Sequence, residues 1–146
     1  MISPTVGAYE GEFLYGLRHG EGKLTNWENA VYEGDWVQDK REGEGFESTA
    51  EGATYKGHFM NDQINGEGTY TWPDGKTYTG NFVNGKQEGK GVMKFTNGKM
   101  YDGEWKDGAP NGKGKFVYTD GSTYTGDVVN AKRHGTGTIN WYISLC

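Results

Sequence analysis

Apolar and polar residues alternate over short stretches of the chain, which is the pattern of a β-strand with one covered face. In the stretch YDGEW, Tyr101, Gly103 and Trp105 fall on one face. Asp102 and Glu104 fall on the opposite face. No stretch has the period of a helix, and glycine this frequent disfavours helix further. The pattern therefore predicts an all-β protein.

The motif Tyr-x-Gly-x-aromatic recurs every 23 residues without an insertion or deletion. A Gly-x-Gly motif and, less regularly, an Asp-Gly or Asn-Gly step keep the same period. Six units in register predict a tandem repeat. We number the units 1 to 6 by their first residues, which are Tyr9, Tyr32, Tyr55, Tyr78, Tyr101 and, where valine replaces the aromatic residue, Tyr124.

The alternation predicts two short strands in each unit and therefore about twelve strands in the chain. These strands are expected to form an elongated, single-layer antiparallel meander. The Asp-Gly or Asn-Gly step that ends a unit is expected to join it to the next unit by a tight turn. A longer loop containing glycine, such as KDGAPN, is expected between the two strands of a unit. At about 4.8 Å per strand the sheet would span roughly 55–60 Å.

Glycine is expected to make room for the aromatic rings in this sheet. Trp105 would lie beside Gly112 on one neighbouring strand and near Gly89 and Gly91 on the other. A ring could then lie flat along the sheet, with no neighbouring side chain beneath it. Glu104, on the other face, is expected to contribute almost nothing to stability. The glycines predicted to be structural are Gly66, Gly68, Gly89, Gly91, Gly112 and Gly114.

The unit Y-x-G-x-[WF]…G-x-G…[DN]-G resembles the MORN repeat (membrane occupation and recognition nexus). The resemblance covers Tyr9 to about Tyr142, which predicts a lead-in over 1–8 and a repeat array over 9–146. It implies tandem β-hairpins in a twisted single-layer sheet. It also implies a role such as a cytoskeletal or ciliary scaffold, a membrane-junction tether, or an accessory segment of a lipid kinase or lysine methyltransferase.

Four places depart from the repeat pattern. Unit 1 has NWENAV and unit 2 has STAEGA where the Asp-Gly turn is expected. In unit 6, Val128 replaces the aromatic residue and Ala131 replaces the loop glycine. The geometry of the sheet is expected to be least regular at these places.

Composition supports a thin architecture over a compact core. The hydrophobic fraction is 33%, while 26 glycines and an aromatic fraction of 14% stand out. The net charge is −5, which disfavours nucleic acid and anionic membranes as partners. The charge is unevenly distributed, because 1–73 carry 13 acidic and 5 basic residues whereas 74–146 carry 7 acidic and 10 basic residues.

No combination of residues predicts catalysis, a metal site or a cofactor. His19 and His134 occupy equivalent positions five units apart, and His58 stands alone on the polar face, so the three histidines cannot converge. Carboxylates alternate with the aromatic residues, as solvated strand positions do. The Gly-x-Gly motifs begin strands and lack the helix that a phosphate loop needs. We therefore expect a protein that is not an enzyme.

The aromatic face has two interpretations: sheet twist and packing among the rings bury it, or it binds a helix or an extended peptide of a protein partner. The expected function is that of a scaffold that binds protein partners. The alternative is a phosphoinositide or membrane-surface module, suggested by the lysines of units 4 and 5. The candidate partner-binding residues are Tyr55, Phe59, Trp72, Tyr78, Phe82, Tyr101, Trp105 and Trp141.

The last strand predicts self-association. GTGTINWYISLC has no charged residue and no proline, the devices that protect an edge strand from pairing. A two-fold dimer through this edge is expected in preference to head-to-tail chains or a monomer. The chain has one cysteine, no leader peptide and no apolar stretch of membrane-spanning length, so an intracellular, cytoplasmic protein is expected, with association to cytoskeleton or membrane left open.

Overall fold

The computed structural model of the protein describes residues 2–3 and 7–141, which form one antiparallel sheet of thirteen strands in chain order. No helix occurs in this part of the chain. The all-β meander is therefore confirmed, with a two-residue strand added before the twelve that the repeats predict. The strands are β1 (Ile2–Ser3), β2 (Gly7–Leu14), β3 (Leu17–Thr25), β4 (Val31–Val37), β5 (Lys40–Ser48), β6 (Thr54–Met60), β7 (Gln63–Thr71), β8 (Thr77–Val83), β9 (Lys86–Lys94), β10 (Met100–Lys106), β11 (Ala109–Val117), β12 (Thr123–Val129) and β13 (Lys132–Asn140).

The tight turns lie within the units, so the prediction for the connections was wrong. In unit 5, β10 and β11 are joined by Asp107 and Gly108 alone, with φ of 51° and 85°. Both residues of every such turn have positive φ, as a type I′ hairpin requires. The connections between units are five residues long, as between β11 and β12. Two Asp-Gly or Asn-Gly steps can occur in one unit, and the one that ends the unit closes the longer loop.

The irregular connections of units 1 and 2 nevertheless close like the others. The N–H of Asn26 donates to Ala30 at 2.9 Å, and the N–H of Thr49 donates to Ala53 at 2.8 Å. Asn29 adopts the left-handed conformation, at φ 68°, that glycine takes in the later loops. Asparagine tolerates this region better than other side chains do. The departures from the repeat pattern therefore leave the local geometry intact.

A continuous row of paired glycines crosses the sheet from β2 to β13. Gly80 pairs with Gly91 within unit 4, and Gly91 pairs with Gly103 of unit 5. A Cβ built on Gly91 would overlap the ring of Tyr78. The motif tyrosine of each unit thus lies over the glycines of its own hairpin. The row consists of Gly11, Gly22, Gly34, Gly45, Gly57, Gly68, Gly80, Gly91, Gly103, Gly114, Gly126 and Gly137.

The first glycine of each Gly-x-Gly motif has a different role from the one predicted. Trp105 pairs with Gly89 on β9, as expected, but with Pro110 and not Gly112 on β11. A register shift between Gly103 and Trp105 causes the difference. Gly112 has φ 116° and faces the side chain of Glu104. Gly66 and Gly89 also have positive φ, so these glycines are needed for backbone conformation at a bulge and not as a floor for rings.

Two hydrogen bonds to Glu104 hold this bulge in unit 5, one on each face of the sheet. In unit 5 the Tyr101 hydroxyl donates to the carbonyl of Glu104 at 2.9 Å, while the Glu104 carboxylate accepts from the N–H of Lys113. The hydroxyl-to-carbonyl bond recurs in all six units at 2.7–2.9 Å. The motif tyrosine therefore fixes the bulge as well as covering the glycine row.

Neighbouring units are also tied together at their turns. The second turn residue of each unit from 2 to 6 donates its N–H to a carbonyl of the preceding unit. The bond from Asp39 to Arg18 is 2.9 Å long, and the bond from Ala131 to Pro110 has the same length. These bonds fix the turn end of each hairpin relative to the hairpin before it.

Replacing Gly91 by valine tests the glycine row. We expect Gly91→Val to lower the free energy of unfolding by about 3 kcal/mol, because the new side chain overlaps the Tyr78 ring. Lys90→Val, one residue away on the exposed opposite face, is the matched control and should change it by less than about 0.5 kcal/mol. Urea unfolding of both variants is the measurement. Equal midpoints would contradict the packing described.

Glu104 tests the bulge, since the sequence alone predicts a silent position. We expect Glu104→Ala to destabilise the protein by about 1 kcal/mol, because the Lys113 N–H loses its acceptor. Asp102→Ala, on the same face of β10 without such a bond, serves as the control. A thermal melt in which the two variants behave alike would argue that the carboxylate does not hold the bulge.

Candidate partner-binding surface

The motif aromatics form one continuous row on the face of the sheet that we call the ring face; the opposite face is the polar face. Within unit 5 the ring centroids of Tyr101 and Trp105 lie 5.4 Å apart. Between units, Tyr78 and Trp105 lie 5.0 Å apart at an interplanar angle of 84°. Such edge-to-face contacts are favourable for aromatic pairs. The tyrosines of units 1 to 4 therefore each contact the aromatic residue of their own unit and that of the next.

Most of the predicted partner-binding residues belong to this row and are buried. They are at most 4% exposed, so they pack against each other and present almost no surface to a partner. They are Tyr55, Phe59, Tyr78, Phe82, Tyr101 and Trp105.

The remaining two candidates are accessible. Trp72 is half-buried and Trp141 is 71% exposed. Their positions in the repeat are the same, three units apart. The intervening units place Phe95 and Tyr118 at this position, and both are half-buried. The sequence analysis missed these two residues, although the 23-residue spacing from Trp72 would have found them.

Cations cover the rings on the ring face, but their environments differ along the array. In units 1 and 2, Arg18 lies 4.4 Å from the ring centroid of Trp36 and Arg41 lies 5.1 Å from that of Phe59. Arg18 pairs with Asp39 at 2.5 Å, and its guanidinium holds the pKa of that carboxyl below the usual value. Acidic side chains of the protein therefore already neutralise this end of the ring face.

Arg41 is neutralised in the same way. It pairs with Glu47 at 3.1 Å and with Asp62, of the next hairpin turn, at 3.2 Å. An open pocket of about 290 Å³ lies between the two arginines, with Tyr32 and Trp36 in its wall. The pocket combines both charge signs with apolar surface, and no single ligand chemistry stands out.

In units 3 and 4 the cations beside the rings are lysines, which come from a different position of the repeat. Lys76 Nζ lies 4.7 Å from the ring centroid of Trp72, and Lys99 Nζ lies 5.7 Å from that of Phe95. Further along, the Arg133 guanidinium lies 5.9 Å from the Tyr118 centroid. Unlike Arg18 and Arg41, none of these three cations forms an ion pair with any residue that the structure describes.

These residues make up one surface, which we call the aromatic–lysine surface. It lies on the ring face toward the loops that connect the units. Half-buried rings alternate along it with cations that have no carboxylate partner. It consists of Trp72, Lys76, Phe95, Lys99, Tyr118 and Arg133.

The basic cluster predicted for units 4 and 5 does not form a single surface. Lys99 lies on the ring face, whereas Lys90, Lys113 and Lys115 line the polar face. Lys113 is paired with Asp127 at 2.5 Å. The positive charge available to a partner is therefore smaller than the count of lysines suggests.

The polar face carries the histidine and carboxylate side chains without concentrating them. His58 Nε2 lies 2.8 Å from the exposed Glu44 carboxylate. Within residues 2–3 and 7–141, no group of three His, Cys, Asp or Glu side chains is placed to hold a metal ion. The same residues include no helix of the length and apolarity that crossing a membrane requires.

The C-terminal edge has the accessibility that pairing would need. Every residue of β13 is exposed, and among the described strands only β12 lies beside it. Tyr142, Ile143 and Leu145, which contribute to the predicted dimer, lie outside the described residues. Self-association through this edge stays a prediction.

Comparison with protein families identifies the repeat. A family model described as MORN repeat matches residues 9–26, 32–54, 55–77, 78–100, 101–123 and 124–143. The matched segments begin at the six motif tyrosines. The comparison with curated proteins gave no match.

Burial of the tyrosine row predicts a distinctive alkaline transition. Burial raises the pKa of Tyr55, Tyr78 and Tyr101 to about 12. A pKa raised in the folded state stabilises that state below about pH 10, the pKa in the unfolded chain, and the stability is lost as the pH rises toward 12. In a pH titration, the last tyrosinate absorbance should therefore appear together with the loss of β-sheet circular dichroism.

The control is the same titration in concentrated urea, where all ten tyrosines should ionise near pH 10. If all ten also ionise near pH 10 while the sheet remains folded, the rings are not buried as described.

Proposed function

Because the chain belongs to the MORN-repeat family, we propose that it is a non-enzymatic scaffold that binds an acidic, amphipathic segment of a protein partner on its aromatic–lysine surface. The observation that carries the proposal is the pairing of half-buried rings with cations that have no carboxylate of their own. The rings recur at the 23-residue period, and so do Lys76 and Lys99, whereas Arg133 comes from another position of the repeat.

The rings supply the apolar part of the proposed contact. Trp72 and Phe95 already lose part of their surface to the sheet, so a partner would complete their burial at a small entropic cost. Aromatic residues that are fixed in this way commonly act as anchors in interfaces. Equivalent positions lie two strands apart, roughly 9.6 Å at 4.8 Å per strand, so one partner segment can contact several rings.

The cations supply direction and specificity. Lys76 and Lys99 would attract carboxylates of the partner, whereas the arginines at the other end of the ring face are already paired with carboxylates of the protein. An acidic segment is therefore expected to bind over units 3 to 6. Opposite charges across an interface favour encounter and fix register, even where they add little affinity.

A selection of random peptides displayed on phage, with the immobilised protein as target, would test the proposal. We expect enrichment of sequences that combine Asp or Glu with Leu, Ile or aromatic residues. A selected peptide should then lose affinity about tenfold or more for the double variant Lys76→Glu with Lys99→Glu, because attraction becomes repulsion. Fluorescence anisotropy of the labelled peptide gives the affinity.

The matched control is Lys90→Glu with Lys115→Glu, which makes the same charge change on the polar face. Its affinity should stay within about twofold of the wild type, because these lysines lie on the opposite side of the sheet. Enrichment of basic peptides, or equal loss in both double variants, would contradict the proposed site.

Vesicle binding by the same variants distinguishes the membrane alternative from the protein-binding proposal. Vesicles that contain phosphoinositide should co-sediment weakly with the protein and release it at moderate salt, given the net charge of −5. Salt-resistant binding that the Lys76 and Lys99 changes abolish would assign the surface to lipid headgroups instead.

A further inference from the structure

A pocket of about 300 Å³ opens on the ring face at the end of the aromatic–lysine surface, where residues of units 4, 5 and 6 meet. Half of the residues that line it are cationic and none is acidic. The pocket between Arg18 and Arg41 differs, because Glu47 and Asp62 also line it. The volume is at the lower end of the range for ligand pockets, about 300–1,000 Å³. The lining residues are Lys99, Phe116, Tyr118, Ala131, Lys132 and Arg133.

Two of the cations flank a pair of stacked rings. The centroids of Phe116 and Tyr118 lie 6.0 Å apart at an interplanar angle of 15°. Lys99 Nζ lies 5.5 Å from the Phe116 centroid, and the guanidinium carbon of Arg133 lies 5.9 Å from the Tyr118 centroid. The register of β12 and β13 places the third cation, Lys132, on the polar face. The positive charge of the pocket therefore comes from Lys99 and Arg133.

The repeat itself shows what an arginine at the position of Arg133 binds. In units 1 and 2 the same position holds Arg18 and Arg41. Their Nε atoms donate to carboxylates of the following turn, to Asp39 at 2.5 Å and to Asp62 at 3.2 Å. Among residues 2–3 and 7–141, no carboxylate takes this place beside Arg133. A position that binds an anionic oxygen elsewhere in the chain is therefore available to a ligand in unit 6.

The charge of the pocket fits a phosphate group better than a carboxylate. A carboxylate carries one negative charge, which balances only one of the two cations. A phosphate monoester carries about −1.5 to −2 at pH 7 and presents three acceptor oxygens, so a single group balances both Lys99 and Arg133. The planar guanidinium of arginine also binds phosphate through two parallel hydrogen bonds.

The rings favour a phosphate that is attached to an aromatic side chain. Phe116 is buried and Tyr118 is half-buried, so the sheet holds both rings in place. A phenyl ring beside Tyr118 gains an aromatic contact, and the Arg133 guanidinium can stack on its face. Phosphoserine and phosphothreonine carry the phosphate on a short side chain, which leaves the rings unused. Among phosphorylated side chains, phosphotyrosine therefore fits the pocket best.

We propose that this pocket binds a phosphotyrosine side chain of the partner segment. The phosphate lies between Lys99 and Arg133, and the phenyl ring packs against Tyr118. The proposal rests on the function proposed above, since the pocket is one end of the aromatic–lysine surface. It adds that phosphorylation of the partner controls the interaction, because the segment binds weakly until a tyrosine near its acidic residues is phosphorylated.

Phenyl phosphate probes the pocket without any partner peptide. In an NMR titration of the full chain, we expect saturable shifts of the backbone amide signals of Tyr118 and Arg133. The affinity should be at least threefold above that of inorganic phosphate, which lacks the ring, and of benzoate, which lacks the second charge. The same titration of the Arg133→Gln variant should show no saturable shift.

Peptide binding measures what the phosphate contributes to the partner contact. The acidic peptide from the phage selection is synthesised with tyrosine, phosphotyrosine or glutamate at each position in turn, and fluorescence anisotropy with the full chain gives the affinities. At one position we expect phosphotyrosine to raise the affinity at least tenfold over tyrosine and at least threefold over glutamate. Glutamate adds a single charge without the ring, so it separates this pocket from general electrostatic attraction.

The ratio of the two affinities, phosphotyrosine over tyrosine, assigns the phosphate to the pocket. Arg133→Gln and, separately, Lys99→Gln should reduce this ratio from at least tenfold to below about twofold. Arg18→Gln removes a cation from the same repeat position as Arg133, but one that Asp39 already pairs, and should leave the ratio at tenfold or more. Lys90→Gln, on the polar face, should leave it unchanged as well. Circular dichroism checks that each variant keeps the sheet.

No saturable binding of phenyl phosphate, or a ratio that Arg133→Gln and Lys99→Gln leave unchanged, would overturn the proposal. Equal affinity for phosphotyrosine and glutamate would overturn it too, because the pocket would then only attract charge. Inositol trisphosphate that binds the same residues more tightly than phenyl phosphate would assign the pocket to lipid headgroups and would likewise reject it. If the phage selection yields no peptide, phenyl phosphate binding that Arg133→Gln abolishes still supports the pocket, so failures of the two proposals can be distinguished.

Discussion

The structure depends on the contact between the motif tyrosine of each unit and the glycines of its own hairpin. The ring lies where side chains of the paired glycines would otherwise stand, and its hydroxyl donates to a carbonyl of its own strand, directly opposite the bulge. One side chain therefore contributes apolar burial and satisfies a backbone acceptor at the same time. Any side chain at the second glycine of the Gly-x-Gly motif would displace the ring, so glycine is required at this position for space and not for flexibility.

Sequence periodicity was sufficient to predict the twelve strands of the repeats and their antiparallel order, because a two-residue alternation and a 23-residue repeat leave few other arrangements. It did not identify the tight turn, since Asp107-Gly108 and Asp120-Gly121 have the same local preference and only the strand register separates them. The bulge was missed for a similar reason. The two-residue alternation puts Gly112 and Gly114 on the same face, but in the structure only Gly114 lies beneath the Tyr101 ring.

Burial of the aromatic row could not be decided from the sequence, because a ring is covered by side chains that come from another unit. Arg18 of unit 1 covers Trp36 of unit 2, and Lys99 of unit 4 covers Phe116 of unit 5. The residues that all units share therefore maintain the fold. The residues that differ between units, such as Arg41 against its counterpart Ile64, give each region of the surface its own chemistry. A search for function in a repeat protein of this kind should begin with the positions that vary.

The bonds from each turn to the unit before it connect nearest neighbours only. Backbone pairing joins each described strand only to the strands beside it in the sheet, and the ring contacts reach no farther than the next unit. In a linear array of this kind, stability is a sum of units and of the interfaces between them. Events at unit 1 therefore reach unit 6 only by passing through every interface between them. Such a molecule is poorly suited to transmitting a signal along its length, and well suited to holding separate ligands whose occupancies do not influence one another.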